Sequence, residues 1–228
     1  MKYIRSIKRI EPIRPNGKTI LFMHGYGGYT WMASRQLNVL KNHGYKIIAL
    51  DFILVLRKHD PQDLIDLMNE VDSFCLEEGL ISPDILVVGI SLGGLVGYNL
   101  MRRHEEVKRL LIITGGNIAL LPTNRSLAKK WNITRQELED KWQDVNMYST
   151  PGSYQDRHII MLLPKRDKLI DPNQVLDEID LHRPYNNIKL IDTNGGHFRT
   201  IITETILRPN QPLKLIHELE KPDPVRLA

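Results

Sequence analysis

The chain has 228 residues, 42% hydrophobic and 25% charged, which is enough apolar material for one compact domain with a substantial core. Its one cysteine, Cys75, excludes an internal disulfide and argues against a cysteine-based metal site. Residues 1–14 lack the apolar core of a signal peptide, and no apolar run approaches the roughly 20 residues needed to span a bilayer. We therefore expect a cytoplasmic protein.

The basic side chains are concentrated at the N-terminus. The formal net charge is +4, but the first 18 residues hold six Lys or Arg against one Glu, so the remainder is close to neutral. An edge strand protected by charge explains this arm at least as well as contact with nucleic acid or an anionic membrane. We expect neither of these as a partner, and the sequence does not indicate an oligomeric state.

Short apolar runs alternate with helix-like patterns along the chain. The runs predict strands at residues 3–10, 19–23, 46–51, 85–88, 107–114, 157–163 and 187–192. Helical spacing is found at residues 31–43 and 61–78 and from Leu92 onward, and Gly44 is placed to end the first of these helices. A short amphipathic run after Arg208 predicts a terminal helix. This alternation predicts a doubly wound, mostly parallel α/β sheet.

The most informative stretch is residues 85–103. An apolar strand feeds a Gly-x-Ser-x-Gly sequence, in which Ser91 stands between Gly89 and Gly93, and a helical pattern follows. A sharp turn at this junction lifts the serine oxygen clear of the backbone, and the helix N-terminus offers free N–H groups to an anion formed beside it. Glycine is favoured at both neighbouring positions because such a turn leaves little room for a side chain. An idle serine in a glycine-rich turn is the alternative.

This strand, turn and helix resemble the nucleophile elbow of the α/β-hydrolase family, and the resemblance extends over about residues 18–202. It implies a Ser-His-Asp triad in which Ser91 is the nucleophile and the acid and the histidine follow in that order. Serine at this position argues against the family's epoxide hydrolases and haloalkane dehalogenases, which use aspartate there.

The glycine-rich loop that begins at His24 follows the predicted strand 19–23. By resemblance it is the family's oxyanion loop, and the backbone N–H groups of Tyr26 and Leu92 would hold the oxyanion. Glycines let the backbone approach that closely, whereas a tight turn without a role is the alternative. His24 would brace this loop and take no part in catalysis.

The candidate acid and base both follow predicted strands. Asp167 lies just beyond the C-terminal end of its strand, in a segment that resembles the family's acid loop, and Asp171 and Asp192 are the alternatives. His197 follows two glycines after the last strand, where the family carries its catalytic histidine. A role only as a helix N-terminal residue is the alternative. No histidine has the spacing of a metal site, so we expect no catalytic metal.

Two segments are expected to shape the substrate pocket. Residues 117–155 hold two of the three tryptophans and a possible capping box, Thr134-x-x-Glu137. The resemblance implies a small helical cap inserted here within a single domain of residues 1–228, and an ordinary surface helical pair is the alternative. Many family members have a glycine-rich sequence after the third strand, but residues 51–60 carry an apolar segment instead. This edge of the pocket departs from the family pattern.

These features predict a serine hydrolase that cleaves carboxylic esters through an acyl-enzyme and needs no cofactor. A peptidase, a thioesterase or an acyltransferase would use the same groups. A hydrolase-fold protein that binds a small molecule or a partner without turnover is a further alternative, since a fold does not fix a function.

Overall fold

The computed structural model describes residues 1–53, 60–115, 124–145, 157–182 and 187–221 of the chain. The strands in this part are β1 (Ile4–Ile10), β2 (Thr19–Met23), β3 (Lys46–Phe52), β4 (Ile85–Ile90), β5 (Arg109–Ile113), β6 (His158–Pro164) and β7 (Asn187–Thr193). The helices are α1 (Ser34–Asn42), α2 (Gln62–Glu77), α3 (Leu92–Arg103), α4 (Asn124–Trp131), α5 (Arg135–Trp142), α6 (Pro172–His182), α7 (His197–Ile202) and α8 (Gln211–Leu219).

The strands form one seven-stranded sheet in the order β1-β3-β2-β4-β5-β6-β7. All neighbouring pairs are parallel except β1 with β3, which is antiparallel. Every residue of the central strand β4 is buried, as expected for a strand covered on both faces. The predicted doubly wound, mostly parallel sheet is confirmed, and each of the seven predicted strands is present with small differences at its ends.

Helices cover both faces of the sheet. On one face α2 and α3 bury Leu67 and Leu95 against Val87 of β4. On the other face α1 and α8 bury Leu37 and Ile216, and Val88 of the same strand belongs to this second cluster. Because alternate side chains of a strand point to opposite faces, the continuous apolar run of β4 supplies both layers.

The segment predicted to form a cap is described in part. Residues 116–123 and 146–156 lie outside the described residues, whereas α4 and α5 lie within them. The predicted capping box is confirmed: the Glu137 N–H donates to Thr134 Oγ1 over 3.1 Å, and the Thr134 N–H donates to a Glu137 carboxylate oxygen over 2.6 Å. The cap itself stays a prediction, as does the single domain over the whole chain.

Two further details of the chain, at Gly44 and Cys75, agree with the sequence. Gly44 has a φ of +89°, as a residue that ends a helix in the left-handed region should. Cys75 is fully buried in α2, and burial raises the pKa of its thiol to about 12, so it is a packing residue. In the described part of the chain no helix is long and apolar enough to cross a membrane.

Candidate active site

Three polar side chains meet at the carboxyl end of the parallel sheet. Ser91 directly follows β4, Asp167 lies three residues after β6, and His197 begins α7 four residues after β7. Parallel strands carry their loops to the same edge, so residues separated by more than 100 positions in the chain come together there. The structure thus brings together the three residues predicted from the sequence.

Ser91 has a strained backbone, with φ +50° and ψ −111°. A non-glycine residue with positive φ is uncommon, and such strain is concentrated at functional sites. Its N–H donates to the Ile113 carbonyl over 3.0 Å, which ties the turn to the neighbouring strand β5. The turn therefore holds the hydroxyl above the edge of the sheet.

The glycines on either side of Ser91 are required by close backbone contacts. A Cβ on Gly93 would lie 2.2 Å from the Met23 carbonyl oxygen, and a Cβ on Gly89 would lie 2.4 Å from the Gly93 carbonyl carbon. Both contacts are with backbone atoms, which cannot rotate away. Thus α3 packs closely against β2 and β4, and its N-terminus begins directly after Ser91.

The three side chains form one continuous hydrogen-bonded chain. His197 Nδ1 lies 2.7 Å from Asp167 Oδ2, and His197 Nε2 lies 2.9 Å from Ser91 Oγ. A carboxylate only accepts, so Nδ1 carries the proton and donates it to Asp167, which leaves Nε2 to accept from the serine hydroxyl. The side chains of His197 and Asp167 are only 6% and 2% exposed, so this pair is shielded from water.

Asp167 is fixed by its own loop. Its Oδ1 accepts hydrogen bonds from the Leu169 N–H over 2.8 Å and the Ile170 N–H over 3.1 Å, which leaves Oδ2 for His197. Burial acts to raise the pKa of this carboxyl, but the hydrogen bonds from His197, Ile170 and Leu169 outweigh it and hold the pKa below its ordinary value. Asp167 is therefore ionised at neutral pH.

The two alternative acids lie elsewhere. Asp171 precedes α6, where its Oδ1 accepts from the Asn173 N–H over 2.9 Å. Asp192 pairs with Lys165 over 2.9 Å on the surface, and its side chain is 56% exposed. Among the candidate acids, the structure places Asp167 alone against His197.

The loop that begins at His24 lies directly beside Ser91. A Cβ on Gly25 would lie 3.2 Å from the Ser91 Cβ, so only glycine lets the loop come this close without displacing the serine. Tyr26 follows Gly25 in this loop, and Leu92 is the first residue of α3, where a backbone N–H has no partner within the helix. Tyr26 and Leu92 thus adjoin Gly25 and Ser91 in the chain, and their role as oxyanion donors stays a prediction.

His24 braces this loop, as the sequence predicts. Its Nε2 accepts from the Phe52 N–H over 2.9 Å, so the ring proton is on Nδ1, which donates to the Gly25 carbonyl over 2.6 Å. Burial lowers the pKa of His24 despite the bond to Gly25. His24 is neutral and joins the loop to the end of β3.

Sequence reasoning gives Asp51 no role, but its carboxylate anchors the far end of the same loop. Its Oδ1 accepts from the Thr30 N–H over 2.6 Å and from the Thr30 hydroxyl over 2.7 Å, and its Oδ2 accepts from the Ser6 hydroxyl over 2.8 Å. The only sign of this role in the sequence is an acidic residue near the end of β3, the strand that pairs with β2, which leads into the loop. The partners are 21 and 45 residues away and depend on strand order.

The metal-binding residue types do not cluster in the described ranges. Within residues 1–53, 60–115, 124–145, 157–182 and 187–221, no group of three or more His, Cys, Asp or Glu side chains is placed to hold a metal ion. His24 and His197 use both ring nitrogens in the hydrogen bonds described above.

The fold resembles solved hydrolases. An esterase from Pyrococcus furiosus aligns with a TM-score of 0.64 and 19% identity over 95% of this chain and 92% of that one. The esterase Est2 of Thermogutta terrifontis, solved with butyrate bound, gives 0.64 and 14% over 93% and 87%. An α/β hydrolase from the sediment metagenome of the Mar Chica lagoon, Morocco, gives 0.63 and 18% over 93% and 94%. At these identities the likeness shows the fold alone.

No curated protein matches the chain in sequence. A family model described as the alpha/beta hydrolase family matches residues 20–186, which is more than half of the chain. That range contains the glycine-rich loop, the turn at Ser91 and Asp167. The chain belongs to the α/β-hydrolase family.

Proposed function

We propose that the protein is a serine hydrolase that cleaves carboxylic esters through an acyl-enzyme intermediate. The observation that carries this proposal is the continuous chain of hydrogen bonds from Asp167 through His197 to Ser91. It supplies a nucleophile, a base in contact with that nucleophile and an ionised acid that orients the base.

In the proposed first step, Ser91 Oγ attacks the ester carbonyl carbon while its proton passes to His197 Nε2. The carbonyl oxygen becomes an oxyanion between the N–H groups of Tyr26 and Leu92. The ionised Asp167 stabilises the imidazolium that forms. The tetrahedral intermediate then collapses: the bond from carbon to the alcohol oxygen breaks, and the alcohol leaves with the proton from Nε2.

The second half of the cycle releases the acid. A water molecule attacks the acyl-enzyme carbonyl and gives a proton to His197 Nε2, and the oxyanion again lies between the two N–H groups. Collapse of this intermediate breaks the bond to Ser91 Oγ, which takes the proton back. The residues are restored, and the net reaction converts an ester and water into a carboxylic acid and an alcohol.

Esters are the proposed substrates because their cleavage needs no group beyond those at the site. The structural neighbours named as esterases favour the same substrate class. Amides and thioesters would use the same machinery. Measuring kcat/KM for an amide, a thioester and an ester with the same acyl group would rank the three substrate classes. We expect the ester to be preferred.

The direct test is labelling with a fluorophosphonate probe, which reacts with activated serines, followed by mass spectrometry of the modified peptide. We expect the wild type to be labelled at Ser91 alone. Labelling should be absent in Ser91→Ala and strongly slowed in His197→Ala and Asp167→Ala. A well-folded wild type that neither reacts with the probe nor hydrolyses a short-chain aryl ester would contradict the proposal and favour a binding protein without turnover.

A further inference from the structure

An apolar cavity of about 150 Å³ lies beside Ser91, between the glycine-rich loop and the segment that follows His197. Its inner end is formed by residues that are at most 5% exposed: Phe22, Ala33, Ile90 and Thr205. Its mouth is formed by exposed hydrophobic side chains, among them Tyr26, Met32, Phe198 and Ile202. A closed floor and an open apolar mouth are what a pocket for a hydrophobic chain requires.

The cavity borders the turn that holds the proposed nucleophile. Gly25 and Ile90 both line it; Ile90 precedes Ser91, and a Cβ on Gly25 would lie 3.2 Å from the Ser91 Cβ. During ester cleavage the leaving alcohol must face His197 Nε2, which protonates it. The group on the other side of the carbonyl carbon is the acyl chain, and the cavity bordered by the glycine-rich loop is an apolar space beside it.

The part of the lining that the structure describes carries no charge. Among these residues there is no Asp, Glu, Lys or Arg, and the lining histidine, His24, is neutral with both ring nitrogens hydrogen-bonded. The Thr205 hydroxyl donates to the Ile201 carbonyl over 2.7 Å, so its proton is used in a bond to α7. A charged group placed here would lose its hydration without gaining a partner, which is costly.

The volume limits the length of the chain. A cavity of roughly 150 Å³ lined by aliphatic and aromatic side chains holds a guest the size of benzene. We propose that this cavity is the acyl-chain pocket and that it selects uncharged acyl groups of about four to six carbons; this inference rests on the proposed esterase function. Longer chains meet the floor at Phe22, Ala33 and Thr205.

The test is a series of p-nitrophenyl esters of unbranched acids from acetate to dodecanoate. We expect kcat/KM to rise by about fourfold per methylene, which corresponds to about 0.8 kcal/mol per buried methylene, up to four to six carbons. It should fall at least tenfold by dodecanoate. The singly charged ester of adipic acid should react at least tenfold more slowly than the hexanoate ester.

Two substitutions locate the pocket. Ala33→Leu adds bulk at the floor and should lower the ratio of hexanoate to acetate kcat/KM at least tenfold. Ile206→Ala, also in the lining, should move the optimum to longer chains. The matched control is Leu207→Ala, since Leu207 is the next residue, is 68% exposed and does not line the cavity. Its chain-length profile should equal that of the wild type.

The outcomes separate this inference from the function on which it rests. If Ser91 is labelled and esters are cleaved, but the profile is flat or unchanged by both Ala33→Leu and Ile206→Ala, the pocket assignment is overturned. It is also overturned if, on acetate esters of different alcohols, these variants change the preference for the alcohol group and leave the preference for the acyl chain unchanged. If no ester is cleaved and the fluorophosphonate does not react, the esterase function itself fails. Circular dichroism shows whether each variant is folded. If one of the two is not, the chain-length profile of the other variant tests the pocket assignment.

Discussion

At the scale of single residues, Ser91 can hold its position only because its neighbours are glycines, which have no side chain. The serine has a strained φ of +50°, and the surrounding backbone is compressed to a degree that only glycine permits. Strain of this kind persists only where the rest of the fold imposes it, and its usual place is a functional site. The packing of α3 against the sheet offsets the strain energy of the Ser91 backbone.

Gly93→Ala should destabilise the protein severely, because the added Cβ would lie 2.2 Å from the Met23 carbonyl oxygen. We expect the free energy of unfolding to fall by about 3 kcal/mol or more, the upper end of overpacking effects. Urea unfolding followed by circular dichroism would measure it. The control is Gly79→Ala, which has a φ of +63° but no atom within 4 Å of the added Cβ and should lose only about 1–2 kcal/mol. Equal losses in both variants would contradict the crowding argument.

Asp167→Asn should leave the fold intact and reduce kcat for ester hydrolysis by about 10⁴. The asparagine amide would favour the wrong tautomer of His197, because an N–H group would then face Nδ1. Steady-state kinetics on a short-chain ester would test this. Asp192→Asn is the matched control, since its carboxylate pairs with Lys165 on the surface. A loss below tenfold in Asp167→Asn would remove Asp167 from the triad.

At the scale of elements, α4 and α5 are held by an edge-to-face tryptophan pair and one buried hydrogen bond. The rings of Trp131 and Trp142 have centroids 6.1 Å apart at 90°, and Trp142 Nε1 donates to the Pro61 carbonyl over 2.8 Å. Trp142 is fully buried in the cluster that contains α2 and α3. Thus Trp142 anchors α5 to the beginning of α2 by packing against the core.

Trp142→Phe should lower the free energy of unfolding by about 1–3 kcal/mol, because the Pro61 carbonyl would lose its donor in a buried setting. Trp131→Phe is the matched control: among the described residues the buried Trp131 Nε1 has no hydrogen-bond partner, so this change removes no such bond. Hydrogen exchange should show faster opening of α5 in Trp142→Phe alone. Equal effects of the two changes would exclude the Pro61 bond as the cause.

At the scale of the whole molecule, the N-terminal strand closes one edge of the sheet and is tied to a helix. Among the described strands β1 pairs only with β3, and the charged side chains of its exposed face, including Arg5 and Arg9, protect this edge from further pairing. The Glu70 carboxylate of α2 accepts from the N–H groups of Lys2, Tyr3 and Ile4 over 2.6–3.0 Å. The basic arm therefore has a structural explanation, and the expectation that it contacts neither nucleic acid nor membrane stays a prediction.

Glu70→Gln should destabilise the attachment of β1 in a pH-dependent way. Partial burial acts to raise the pKa of Glu70, but the three N–H groups outweigh it and hold the pKa below its ordinary value of 4.5. The folded-state pKa is depressed, so the stabilisation is present above pH 4.5 and is lost as the pH falls through the folded value. We expect the variant to lose about 1–3 kcal/mol at pH 7 and progressively less below pH 4.5. Urea titrations at several pH values would show it, and a pH-independent difference would contradict the linkage.

The sequence by itself determined the class of fold and supplied the candidate site residues, with three possible acids. Apolar runs such as that of β4 indicate strands buried on both faces, and the glycines around Ser91 indicate a turn that no larger residue permits. These are local effects of sterics and burial, so a few adjacent residues suffice to reveal them. The family resemblance then supplied the order in which Asp167 and His197 follow.

Only the tertiary structure decided which distant groups meet. It selected Asp167 over Asp171 and Asp192, gave Asp51 its place beneath the glycine-rich loop, and set the apolar cavity between that loop and the segment after His197. Such contacts depend on strand order and on the approach of helices to the sheet. No local pattern encodes these distances, because each is fixed by the packing of the whole chain around one sheet.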